Sequence, residues 1–405
     1  MKNTLAAAII VALGATSASA LAADTRINGF ASINAGVMMD EDTSLFGYSD
    51  TISFKPESLF ALQIASDLGD GLSATAQIMS RGKNDYAAEF EWAYLSYEIN
   101  DSTQINAGKL RIPFYRYSDF LDVGYAYPWA RPPQTVYNLV FSTFDGLSIV
   151  NNHTIGDWDS TVQAVYGSYD GSVDLLSDYD PATLTDMMGV NWTVSYDWFT
   201  ARAVYMFTDT SISFENEPYV SVDDGTGTDT FVDRQVLNYS IAAVSASGVF
   251  QEVADQLIVE DDFGSFFGLG FSVDYNNILI DAEFTKVEVE ESIVATQEQY
   301  YVSVGYRFDS VTVYAITEHG EKTNDESYIS KLPAIPAIQV GFAQLLATQN
   351  EEIDGLTLGL RYNFHPSAAL KVDYTTHDTL AYNSDIGTFE SVESSALTVG
   401  VSLVF

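Results

Sequence analysis

Every second residue in the last stretch of this chain is apolar. In Ser395–Phe405 the side chains of Leu397, Val399, Val401, Leu403 and Phe405 share one face, and Thr398, Gly400 and Ser402 lie on the other. Such alternation marks a strand with one apolar face, because successive side chains point to opposite sides. The stripe recurs at Phe60, Leu62 and Ile64; at Phe199, Ala201, Ala203, Tyr205 and Phe207; and at Phe267, Leu269, Phe271, Val273 and Tyr275. It recurs again at Tyr300, Val302, Val304, Tyr306 and Phe308, and at Leu356, Leu358, Leu360, Tyr362 and Phe364. After residue 22 no run of about 18 apolar residues occurs, so no segment reads as a membrane-crossing helix. These apolar faces must be covered by another sheet or by lipid.

The junctions decide between the two. Tight turns fall near Gly69–Gly71, Asn100–Ser102, Gly156–Asp159, Asp197, Asn276–Asn277, Asp309–Ser310 and His365–Pro366. Between them lie connections of very unequal length, at about 39–56, 82–85, 113–143, 170–185, 211–262, 290–297, 320–352 and 380–391. Seven short turns interleaved with eight variable loops make sixteen strands with both termini on the short-turn side. A sandwich has no reason to sort its loops this way, whereas outer-membrane barrels have short periplasmic turns and longer external loops. The expected fold is all-β: a transmembrane antiparallel barrel of about sixteen strands. Stretches 236–259 and 335–349 carry helical periodicity and read as short helices or as extra strands.

Residues 1–22 read as a secretory signal, with Lys2, an apolar core from Leu5 to Leu13, and Ala20-Leu21-Ala22 as an A-x-A cleavage pattern. Residues 23–405 are then one barrel domain. The sequence has no cysteine, so stability must come from a large closed sheet or core and not from disulfides. With 56 Asp and Glu against 17 Lys and Arg, the formal charge is −39, or −40 without Lys2, which argues against a nucleic-acid partner. Interfacial girdles account for Trp92, Tyr94, Trp192, Tyr196 and Trp198 near strand ends.

Opposite the apolar stripes lie Arg202, Arg307 and Arg361, with Arg81 and Lys371 placed inward by the same test, and Asp274, Asp281, Glu283 and Asp373 beside them. An Arg on the lipid face at mid-depth costs about 2–4 kcal/mol, so these side chains face a polar interior. That interior is either a water-filled pore or a barrel plugged by its own charges. Sixteen strands enclose more room than side chains alone fill, which favours the pore.

The signal segment, sixteen alternating segments and terminal Phe405 together resemble a Gram-negative porin, over the whole mature chain. The resemblance implies passive diffusion of small hydrophilic solutes and ions through the outer membrane. It also implies contact with lipid and lipopolysaccharide, a homotrimer, no enzymatic activity, no cofactor and no metal. The closing aromatic resembles the signal read by the barrel-assembly machinery. Porins carry their constriction loop after the fifth strand, here Thr103–Ile112, which places that loop at about 113–143, folded inward. The short motif of the enteric general porins is absent, and PFYRYSDFLDVGYAYPWARPP stands in its place. The loop at 82–85 is very short, whereas family members often use it to latch onto a neighbouring subunit.

A constriction selects by radius and by rings of charge. The candidates are Lys109, Arg111, Arg116, Asp119, Asp122 and Arg131, with Arg81 and Arg202 on the wall. Four basic and two acidic residues between Lys109 and Tyr137 suggest a weak anion preference there, against cation enrichment by acidic loops at the mouth. Arg116 and Arg131 equally suit pinning the loop to the wall through carboxylates. Lys109 and Arg111 share a face with Ile105 and Ala107, and a bulge at Gly108 would turn the basic pair inward. Tyr115, Tyr117, Tyr125, Tyr127 and Trp129 suit either a stacking track for solutes or packing of the loop. The acidic run 222–229 reads as a solvated loop. His153, His319, His365 and His377 fall in no catalytic or metal motif. Two further readings stand: a porin specific for phosphate, dicarboxylates or sugars, and an adhesin or phage receptor working through loops 211–262 and 320–352.

Overall fold

A computed structural model of the chain describes residues 24–41, 43–173, 180–213, 219–223, 229–233, 259–331, 339, 343–344, 346–383 and 386–405. The expected signal segment, 236–258 and most of 224–229 lie outside these residues. Five strands lead to the long loop: β1 (Asp24–Met38), β2 (Leu59–Gly69), β3 (Leu72–Arg81), β4 (Ala88–Asn100) and β5 (Thr103–Arg111). After the loop come β6 (Thr143–Ile155), β7 (Trp158–Val173), β8 (Asp180–Tyr196), β9 (Phe199–Ile212), β10 (Tyr219–Asp223) and β11 (Asp229–Asp233). The chain closes with β12 (Val259–Tyr275), β13 (Ile278–Val289), β14 (Thr296–Phe308), β15 (Val311–Thr323), β16 (Glu351–His365), β17 (Ala368–Asn383) and β18 (Thr388–Val404).

Sixteen of these form one closed barrel, and β10 pairs only with β11 as a separate hairpin between β9 and β12. Closure joins the ends of the chain: β1 pairs antiparallel with β18, from Phe30 opposite Val404 to Met38 opposite Ala396. The terminal Phe405 is tied in by main-chain hydrogen bonds to Gly29 in both directions. Such closure leaves no unpaired edge, which a chain in lipid requires.

The apolar stripes point outward as the sequence implies. Leu269, Phe271, Val304, Leu356 and Leu358 are all close to half exposed. Such a surface would be a liability in water and is the ordinary coat of a barrel in hydrocarbon. At the short-turn end, Trp158, Tyr196, Trp198, Phe199 and Tyr275 form a ring-to-ring cluster suited to the interface. Trp92 and Tyr94 do not belong to such a girdle. The β3–β4 register shifts between Gln77 and Ile78, leaving Glu91 as the extra residue between Trp92 and Phe90. The bulge sends Phe90 outward, 60% exposed, buries Trp92, and turns Tyr94 against the inner aromatic cluster.

Of the stretch 335–349, the described positions 339, 343–344 and 346–347 are helical. Val259, placed at the end of the other helical stretch, is instead the first residue of a strand.

Candidate functional site

The segment between Arg111 and Thr143 leaves the wall where β5 ends and crosses the barrel interior. β5 has 9 residues whereas β7 and β8 have 16 and 17, so the loop departs well below the rim on that side. Two short 3-10 turns, Ser118–Phe120 and Gly124–Ala126, fold it compactly, and prolines forbid a longer helix beyond. Phe114, Tyr115, Tyr117, Tyr127, Trp129 and Tyr137 are buried together with Phe144, Phe266, Tyr301 and Tyr314 from the wall. Of the two roles open to the loop aromatics, packing therefore accounts for these; Tyr125 sits half-buried under Arg361, 4.8 Å from its ring centre.

Anchors run from the loop to most of the barrel. Arg202 donates to the carbonyls of Phe114 (2.9 Å) and Pro113, and Arg361 to those of Tyr125 (2.9 Å) and Tyr127 (2.8 Å). Lys371, 1% exposed, donates to the carbonyls of Gly124 and Trp129. In the opposite direction the amides of Arg116, Ala130 and Thr135 donate to Glu283 (2.8 Å), Asp373 (2.9 Å) and Glu318 (3.1 Å). Trp129 Nε1 donates to Ser303 Oγ at 3.0 Å. Buried loop backbone lacks sheet partners, and the wall charges supply them; each such bond contributes about 1.5–3 kcal/mol.

The proposed selectivity residues other than Lys109 fall into three groups. Arg81 and Arg111 form one cluster with two carboxylates: Arg81 lies 2.8 Å from Glu91 and 3.1 Å from Asp122, and Arg111 lies 3.1 Å from Glu91 and 2.6 Å from Asp122. Arg116 pairs with Asp281, and Arg131 pairs with Glu57 while donating to Thr398 Oγ1. Arg202 approaches Glu283 at 4.0 Å. Asp119 is exposed in the first 3-10 turn, next to Phe120. Lys109 stands elsewhere. It pairs in register with Asp145 on the face that carries exposed Leu147 and Ile149, so it belongs to the outer surface. The β5 register runs unbroken through Gly108, where φ is +136° and a Cβ would meet the Ala93 carbonyl at 2.4 Å. The bulge that brings charge inward lies one strand away, at Glu91.

Several partners had no signal in the sequence. Glu57 and Phe46 come from the first external loop, which folds inward so that Phe46 covers Arg131 at 3.8 Å from its ring centre. Glu91 was hidden by the bulge. Glu318 was accessible from period-2 parity, since it shares the inner face with Tyr314 and Ile316. His377 meets Glu318 at 3.6 Å and the edge of Phe46. On the outer face, His319 lies 2.9 Å from Asp354 and near Glu352, an exposed group with metal-ligand atom types.

Burial raises the Asp122 carboxyl, but Arg111 and Arg81 outweigh it and hold it below the usual carboxylate range. A carboxyl held low stabilises the fold above its unfolded value of about 3.9 and loses that contribution as pH falls through its folded value. The stability difference between wild type and Asp122→Asn, read as the temperature of heat-induced gel mobility shift, is expected to be constant from about pH 7 to 5. It should shrink below about pH 4.

Two residues beyond Asp122, Gly124 sits so close to β1 and β18 that a Cβ would lie 2.5 Å from Ser32 Oγ and 2.7 Å from Ser402 Oγ. Gly124→Leu is expected to lift this turn toward the opposite wall and lower single-channel conductance roughly twofold, with the barrel still folded.

The family model described as Gram-negative porin matches residues 6–381. The chain belongs to the Gram-negative porin family. This porin is similar to in-vitro folded OmpT of Vibrio cholerae in its trimer form, with TM-score 0.53, 12% identity, and coverage of 95% of this chain and 100% of that one. It is similar to the outer-membrane channel DcaP of Acinetobacter baumannii, with TM-score 0.55, 14% identity and coverage of 95% and 97%. The anion-selective porin from Comamonas acidovorans gives TM-score 0.54, 10% identity and coverage of 95% and 100%. A search of the curated proteins finds no sequence match. The porin is an outer-membrane channel for passive diffusion, with the family and fold of a channel and not of an enzyme.

Proposed function

We propose that this porin passes small hydrophilic solutes with a preference for cations, and that its lumenal arginines serve chiefly to hold the constriction loop. The observation that carries this reading is the pairing of Arg81, Arg111, Arg116 and Arg131 with carboxylates, while Arg361 and Lys371 are spent on loop carbonyls. Arg81 and Arg111 face Glu91 and Asp122, so this cluster of four has no net formal charge. Arg116 and Arg131 each have one carboxylate as well. Compensated pairs leave little field for a passing anion. Asp119 is exposed beside them, and the outer ends of the strands are rich in acids such as Glu260, Asp261, Glu290, Glu291 and Glu352. Such a mouth concentrates cations within a Debye length of about 8 Å at physiological salt. The anion preference expected from the count of basic residues loses its support once their partners are considered.

The trimer form of OmpT supports a homotrimer for this chain too. Export by the amino-terminal segment and contact with lipopolysaccharide along the outer face belong to the same reading.

The test is single-channel recording in a planar bilayer under a KCl gradient. Stepwise openings with a cation-signed reversal potential are expected. An anion-signed potential would overturn the ion preference, and a folded barrel without conductance would overturn the pore.

A further inference from the structure

Toward the outer ends of β14, β15 and β16 the membrane-facing surface changes character at one height. Val304 and Val302 on β14 give way to Tyr300 and Glu298, and Ala315 and Thr317 on β15 to His319 and Glu321. On β16, Leu358 and Leu356 give way to Asp354 and Glu352. The apolar members belong to the lipid-facing coat, so the polar ones stand at the level of the lipid headgroups. The rows they form across the sheet are acidic. Glu298 is directly opposite Glu321 and Glu321 opposite Glu352, while Asp354 is opposite Asp378 and Asp378 opposite Glu393. Like charges directly opposite one another are destabilising. Lys286 offsets only the edge of the patch, 3.5 Å from Glu298. Diffusion through the lumen gives no reason for such rows.

One member is not an acid. His319 lies opposite Asp354 in register, with Nδ1 2.9 Å from Asp354 Oδ1, and the Tyr300 ring packs beside it at 5.3 Å between ring centres. Ligand atoms of His319, Asp354 and Glu352 all lie within 4.8 Å of one another, and among the described residues this is the one place where three such side chains meet. Tetrahedral Zn²⁺, with bonds of about 2.0–2.1 Å, holds its ligand atoms about 3.3 Å apart, which exposed side chains at this spacing reach by rotation. Ca²⁺ and Mg²⁺ take oxygen ligands, whereas an imidazole nitrogen beside two carboxylates suits Zn²⁺ and its first-row neighbours. His319 and Asp354 are 35 residues apart in the chain, so no sequence spacing announces the set.

We propose that His319, Asp354 and Glu352 form a binding site for a divalent transition-metal ion on the outer face of β15 and β16. Two positive charges there offset the facing Glu321 and Glu352 carboxylates, and the ion ties the two strands together beside the headgroup layer. The site shares no residue with the Arg81–Arg111–Glu91–Asp122 cluster and does not depend on the ion preference.

Equilibrium dialysis of ZnCl₂ against the untagged, chelator-stripped full chain in detergent, with detergent alone as background, tests it. One saturable site per chain is expected, retained in a large excess of Ca²⁺. His319→Ala should weaken it at least about tenfold, as should Asp354→Asn, while His365→Ala at a short turn leaves it unchanged. Open-channel conductance should be the same with and without Zn²⁺, because the site lies outside the lumen. No saturable site in wild type, wild-type affinity in folded His319→Ala, or displacement by Ca²⁺ at equal concentration would each overturn the assignment. So would a Zn²⁺ block of conductance that His319→Ala does not relieve. Should His319→Ala fail to fold, unchanged affinity in Asp354→Asn overturns it instead.

Discussion

Removing Arg81 and Arg111 together, as the double Ala variant, is expected to move the channel further toward cations, and replacing Glu91 and Asp122 by Gln and Asn is expected to move it toward anions. The two changes act on the same four side chains and should shift the reversal potential in opposite directions. The cluster is partly reachable by water: the Arg81 and Asp122 side chains are 19% and 13% exposed. A unit charge acts on an ion about 5 Å away with about 0.8 kcal/mol in a water-like dielectric. Each double variant should therefore change the potassium-to-chloride permeability ratio by roughly three- to fivefold or more, salt-dependently. A cluster sealed off from the permeating ions would show no such sign reversal. Both double variants would then alter conductance alone.

Arg202→Met is expected to be among the most destabilising single changes in the molecule. Arg202 is 7% exposed, and its guanidinium serves the Pro113 and Phe114 carbonyls where the loop leaves the wall. Glu283, 4.0 Å away, would keep its bonds from the Arg116 amide and the Tyr137 hydroxyl but lose the cation. Leaving a buried charge without its partner costs about 3–5 kcal/mol. The measurement is the temperature at which the folded band shifts on a gel, together with current noise in a bilayer. A clear drop in that temperature and flickering currents are expected. Arg202→Lys should restore only part of either, since an ammonium lacks the planar fork that reaches two carbonyls.

The barrel was legible because its physics is periodic. Stripes such as Phe267–Phe271 and turns such as Asn276–Asn277 repeat one local rule sixteen times, and lipid enforces that rule on every strand. The same parity test placed Arg202, Arg361, Lys371 and Asp373 inward correctly. It failed where the backbone leaves its period. The single extra residue at Glu91 reversed the faces of Trp92 and Tyr94 and supplied the carboxylate that Arg81 and Arg111 share. Parity alone put Lys109 on the face of Ile105 and Ala107, where it lies; what failed was the bulge supposed at Gly108, through which the register runs unbroken. Position along the chain located the segment that crosses the barrel interior, but not what each arginine meets. Its partners are scattered from Glu57 to Thr398, and no local pattern encodes contacts of that range.

That scatter bears on how the protein is assembled. The bonds that hold the loop crossing the barrel reach 88 residues ahead to Arg202, 247 to Lys371 and 267 to Thr398. Closing such long loops is entropically unfavourable until the strands carrying those partners are already in place. The loop can thus reach its full anchoring only late, after β17 and β18 have joined the wall. A chain halted earlier would be an unclosed sheet around a wide, unguarded gap. Because Phe405 and Gly29 seal the same junction that receives Gly124, completing the wall and seating the loop become successive parts of one event.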